Sequence, residues 1–97
     1  MSAGGLSEVK PATPEIQEMV DQTKGEIEKK ENKTYSIFKA IEYRTQLVSG
    51  TNYFIKVDGG KEYLHVRIYK PLPQSGEKPS LTSYQTGKTA SDPLIYF

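Results

Sequence analysis

Two runs of alternating residues meet at Gly59-Gly60. Before the glycines, Tyr53, Ile55 and Val57 alternate with Asn52, Phe54 and Lys56; after them, Leu64, Val66 and Ile68 alternate with Tyr63, His65, Arg67 and Tyr69. A period of two puts successive side chains on opposite faces of a strand. A Gly-Gly pair can adopt the positive φ angles of a tight hairpin turn. The pattern predicts two antiparallel strands with one apolar and one polar face, and hence a sheet covered on one side only.

The cover lies upstream. Thr13 can cap orphan N–H groups and Pro14 suits a first helical position. Glu15 and Glu18 fall near the positive end of the helix dipole, and Ile16, Met19, Val20, Thr23 and Ile27 follow the spacing of one buried helical face. Glu26 and Lys30 form an i,i+4 pair on the polar face. Gly25 is a defect of about 1 kcal/mol against Ala. The spacing predicts a helix over 14–33 that fades near Asn32.

Flanking this unit, residues 1–9 read as an extended, mobile arm. A strand containing Ile41 and Tyr43 precedes Gln46-Leu47-Val48-Ser49-Gly50, which connects it to the strand of Tyr53. Hairpin tips usually carry Asn, Asp and Gly. Leu47 and Val48 at this one suggest either a projection into another molecule or side chains folded back on their own core. Pro71-Leu72-Pro73 ends a later strand, a polar loop runs from Gln74 to Pro79, and Leu81 and Tyr84 mark a further strand. The tail Leu94 to Phe97, preceded by Pro93, reads as a last edge strand. Residues 1–97 thus form one α+β domain: the arm 1–9, one long helix, and antiparallel strands over 36–97 in a four- to five-stranded sheet.

With 97 residues, only one modest core is available. A net charge of +1, without a basic stripe, gives no case for nucleic acid. No apolar run is long enough to span a bilayer, and no secretory leader is visible. The chain has no cysteine, which favours the cytoplasm and excludes thiolate chemistry. The single His65 cannot build a multi-histidine metal site, and its mid-strand position on the face away from the core reads as a solvated or cross-strand residue. No serine or aspartate is spaced to form a triad with it, and no phosphate-binding glycine loop opens the helix. No enzyme, cofactor or metal is expected. Counting chain reversals instead puts the Leu47-Val48 and Leu72-Pro73 turns at the same end of the sheet. If the arm reaches that end too, the three make one apolar edge.

These residues are similar to a known family. Lys10-Pro11-Ala12-Thr13-Pro14-Glu15-Ile16-Gln17 resembles the stefin approach to the helix, and Gln46-Leu47-Val48-Ser49-Gly50 matches the cystatin Gln-x-Val-x-Gly pattern. Thr51 to Val57, Leu72-Pro73 and Tyr84-Gln85-Thr86 match later stefin segments. The chain is therefore identified as similar to the stefins, the type 1 cystatins, along essentially its whole length.

The resemblance implies a cystatin-like fold and reversible, tight inhibition of papain-like cysteine peptidases such as the cathepsins. It assigns peptidase binding to Gly4 and Gly5, to Gln46, Leu47, Val48, Ser49 and Gly50, and to Leu72 and Pro73. Met1–Ala3 would lie in the non-primed substrate subsites. It also implies a monomer able to form a domain-swapped dimer by opening the Gln46–Gly50 hairpin. Leu47 and Ser49 stand where Val and Ala are usual, the Gly59-Gly60 turn is one residue short, and the tail lacks the usual acidic run. These departures leave open a second reading, a divergent or engineered scaffold of the same fold that recognises a non-peptidase partner.

Overall fold

A computed structural model describes residues 5–97. Five antiparallel strands lie in sequence order, β1 (Lys10–Pro11), β2 (Lys39–Val48), β3 (Gly50–Asp58), β4 (Tyr63–Lys70) and β5 (Ser80–Lys88), and one helix, α1 (Pro14–Glu31), connects the first two. The architecture is the expected α+β arrangement, one helix packed on an antiparallel sheet.

The helix begins as its sequence dictates. Thr13 Oγ1 accepts from Ile16 N–H at 3.3 Å, and Pro14 occupies the first turn. It ends two residues before the expected limit of 33. Asn32 takes the left-handed conformation (φ 56°), and Lys33 N–H closes onto Glu28 O at 3.1 Å. Asn is among the few residues that enter this region readily, so the stop is chemical. Ile16, Val20, Thr23 and Ile27 are buried against Ile55, Val57, Leu64, Val66 and Ile68, with Tyr35, Phe38 and Ala40 closing the rim. The one polar member, Thr23, returns its hydroxyl to Val20 O at 2.8 Å. Gly25 is exposed with open space around its Cβ position, so it answers no packing need of the helix.

Three expectations are corrected. The tail Leu94 to Phe97 is not a strand; the fifth strand is β1, which pairs Lys10 with Tyr43 and Pro11 with Glu42 at the other edge. The strands accordingly end at Lys88 and do not continue to 97. The arm is not loose throughout: from Ser7 onward it is bonded to β2, with Ser7 N–H donating to Thr45 O at 2.7 Å. Finally, the second face of the sheet is not left open to water. The C-terminal segment crosses it, burying Leu94 and packing Tyr96 and Phe97 on the ring of Phe54, with centroids 5.7 and 5.6 Å away.

The polar residues of that face are what bind the segment down. Lys56 Nζ donates to Ala90 O at 2.7 Å, Arg44 Nη1 to Leu94 O at 2.6 Å and Arg67 Nη1 to Phe97 O at 2.5 Å. Lys56 also pairs with Glu42 at 3.3 Å. The Arg67 guanidinium lies over both Phe54 and Tyr96, 5.3 and 5.0 Å from their centroids.

His65 is sealed beneath this cover, 1% exposed, and neither ring nitrogen has a hydrogen-bond partner among the described residues. Of the two expected places, solvent is therefore wrong; His65 lies between Lys56 and Gln85 of the neighbouring strands. Burial first, and the nearby Lys88 and Lys56 after it, push its pKa from 6.5 down to about 4 against the opposing pull of Asp92 and Glu42. The folded state thus binds this proton less readily than the unfolded chain. The stability carried by neutral His65 is complete above pH 6.5 and is lost as pH falls towards about 4. The urea midpoint should drop between pH 7 and pH 4.5, and His65→Leu, which removes the titrating group, should flatten that drop. An equal pH dependence in both proteins would assign it to other groups.

Candidate functional site

The β2–β3 connection is tighter than the sequence suggests. Gln46 pairs with Asn52, Leu47 with Thr51 and Val48 with Gly50, so Ser49 alone lies outside the strands. Gln46 is buried, and its Oε1 accepts from Asn52 Nδ2 at 2.9 Å. This bond ties the two strands just behind the tip. Leu47 is 78% exposed and Val48 43%. The ladder carries both apolar side chains clear of the core, which settles their direction against folding back inward.

Gly50 has φ +113°, and a Cβ there would lie 2.7 Å from both Lys70 O and Tyr69 Oη. Only a residue without a side chain permits this approach of backbone to backbone. Beside it, the Tyr69 hydroxyl donates to Ser49 O. The first tip is thereby fastened to the end of β4, the strand that feeds the second turn.

That second turn carries Leu72, 41% exposed, and the exposed Pro73. Pro71 before them is buried. A short 3-10 turn over Pro73–Ser75 follows, and Ser75 fixes Leu72 O with both its N–H (3.0 Å) and its hydroxyl (2.9 Å). Pro73 also keeps Leu72, the residue before it, in the extended region (φ -60°, ψ 145°).

The arm approaches the same end. Ser7 is level with Thr45: its N–H donates to Thr45 O, and its Oγ accepts from Thr45 N–H at 2.9 Å. The arm runs antiparallel to β2, so the chain ahead of Ser7 heads towards Leu47 and Val48. Gly5 is exposed there. Gly4, with Met1–Ala3, lies outside the described residues.

Of the residues singled out from sequence, Gly5, Leu47, Val48, Ser49, Leu72 and Pro73 are therefore exposed at or towards one end. Gln46 and Gly50 are buried behind it and act as braces. Sequence reasoning missed Tyr69, Asn52, Ser7 and Arg44, whose bonds hold the exposed pieces in place. A tyrosine two positions before Pro71 is a weak signal, because its target is a backbone oxygen in a turn 20 residues away. No group of three or more metal-ligating carboxylates or histidines occurs among the described residues. A depression of about 500 Å³ lined by Lys33, Tyr35, Gly60 and Glu62 lies by the β3–β4 turn, at the far end of the sheet. What the near end offers is shape: apolar side chains on two turns held by backbone contacts.

Gly50→Ala should destabilise the fold by at least about 2 kcal/mol, because it adds a strained φ to a clash with backbone. Urea denaturation measures this, and a loss under 0.5 kcal/mol, the ordinary surface range of roughly ±0.5 kcal/mol, would mean that the tip relaxes freely.

The Cystatin domain model matches residues 4–91. Over 98 aligned positions the chain is 51% identical to Cystatin-A of Homo sapiens, with all of both chains covered. It is 51% identical to Leukocyte cysteine proteinase inhibitor 1 of Sus scrofa, covering 95% of that protein, and 48% identical to Cystatin-B of Mus musculus, again with both chains fully covered.

Proposed function

This chain belongs to the cystatin family of cysteine protease inhibitors, and on that premise we propose that it is a reversible, tight-binding inhibitor of papain-like cysteine peptidases such as cathepsins. The observation that carries this reading is the common direction of the arm, the Leu47–Ser49 tip and the Leu72-Pro73 turn. Such an edge can fill a substrate cleft by shape alone.

In this mechanism the inhibitor reacts with nothing. Met1–Ala3 run like a substrate into the non-primed subsites, and Gly4 and Gly5 let the backbone turn away before a peptide bond reaches the peptidase thiolate. Leu47 and Val48 enter the cleft on the first hairpin of the wedge, and Leu72 with Pro73 on the second. Gln46 and Gly50 serve from behind. The turns are already ordered by Tyr69, Asn52 and Ser75, so little further conformational entropy is lost on docking. An interface of about 800 Å² per partner spans micromolar to picomolar affinity, so the quality of the apolar anchors decides the strength. A small extracellular domain is usually stapled by disulfides, so a chain without cysteine favours the cytoplasm. Opening the β2–β3 hairpin at Ser49 would also allow two copies to exchange strands, and the swapped dimer would lose the first tip of the edge.

Titration of active papain tests the reading: an equimolar amount should abolish activity, with intact inhibitor recovered afterwards. Val48→Asp should weaken the complex by at least ~2 kcal/mol, the penalty for a charge in a desolvated anchor position; unchanged inhibition would remove the first tip from the interface. Deleting Met1–Gly4 should act mainly on dissociation, leaving association within a few-fold. A dissociation rate equal to that of the full chain would exclude the arm from the wedge.

A further inference from the structure

Arg44 stands on β2, opposite Phe54 of β3, and its guanidinium is shared between two remote parts of the chain. Nε donates to Ser7 O at 2.7 Å, in the N-terminal arm, and Nη1 donates to Leu94 O at 2.6 Å, in the C-terminal segment. The two ends of this bridge differ in firmness. Leu94 is 1% exposed, and its segment is held on either side by Lys56 at Ala90 and by Arg67 at Phe97. The arm is held by much less. β1 is only two residues long, Glu8 and Val9 are exposed, and among the described residues Ser7 is the most N-terminal with hydrogen bonds to the body.

A planar guanidinium with two donors in fixed directions, anchored at one end by a buried segment, defines where the other end must lie. We propose that Arg44 is a positioning residue that yokes the N-terminal arm to the C-terminal segment, so that the buried tail fixes the direction from which the arm enters the peptidase cleft. The consequence for binding rests on the inhibitory reading above; the yoke itself is a property of the free protein. Without it only the bonds to Thr45 hold Ser7, so they open more often, and the arm samples more directions before docking. That disorder must be removed on binding and shortens the life of the complex.

The test uses Arg44→Met, which keeps much of the aliphatic packing, and Arg44→Lys, which keeps the charge but has a single ammonium for two acceptors. In the free protein, hydrogen exchange at the Ser7 amide should accelerate about tenfold or more in R44M and less in R44K, while central β3 amides keep their protection. In complex with papain, R44M should dissociate about fivefold faster than the parent, as expected for one newly disordered segment. In a background lacking Met1–Gly4 the same substitution should have no further effect, since coupled residues are not additive. Unchanged exchange at Ser7 overturns the yoke. Faster exchange with an unchanged dissociation rate, or with equal acceleration in the trimmed background, overturns the claim that it acts through the arm. Failure of the parent protein to inhibit papain would instead overturn the inhibitory reading, and the exchange measurement would still decide the yoke.

Discussion

Three cations on one face of the sheet reach backbone oxygens of the C-terminal segment. Lys56, Arg44 and Arg67 bind Ala90, Leu94 and Phe97 in turn, and Phe54, Lys56 and His65 are buried on that face. A buried charge is tolerated only where it is paired and hydrogen-bonded. Here carbonyl oxygens, Glu42 and aromatic faces supply those partners. The strap in turn lets a small chain bury both faces of its sheet, with the helix on one and its own tail on the other. The stiffness of the strands, and therefore of the turns at their ends, depends on that double cover.

The near end of the molecule inherits this stiffness without chemistry of its own. Gly50 brings the β2–β3 tip into backbone contact with the end of β4, and Tyr69 fastens it there. Leu47, Val48 and Leu72 stand exposed because the groups behind them are fully engaged. For a member of a family of peptidase inhibitors this division of labour is physically sensible. Side chains that face the partner need only be apolar and well held, and the work of holding them falls to residues that never leave the body.

The sequence made much of this legible, and its failures have one cause. Thr13, Pro14 and the Ile16–Ile27 stripe defined the helix because helical periodicity is local. Gly59-Gly60 and the alternation around it defined the central hairpin for the same reason. The tail escaped because its placement depends on long cationic side chains finding carbonyls far along the chain, which leaves no periodic trace. His65, Lys56 and Asn52 alternate as solvent-facing residues would; a polar face looks identical in sequence whether it meets water or a strap of peptide oxygens. β1 escaped because two residues and one serine hydroxyl suffice to pair it. At the site, the exposed residues could be named from their pattern, but the braces Tyr69, Ser7 and Arg44 could not, since each acts on backbone atoms that any residue would have provided.

That last point bears on the tip itself. Tyr69 holds the carbonyl of Ser49 and leaves its side chain untouched, while Leu47 projects almost wholly into solvent. Both positions can change identity without disturbing the mould that Gln46 and Gly50 maintain. The scaffold therefore separates shape from surface, and a new target preference could be written at positions 47 and 49 with no refolding of the loop that displays them.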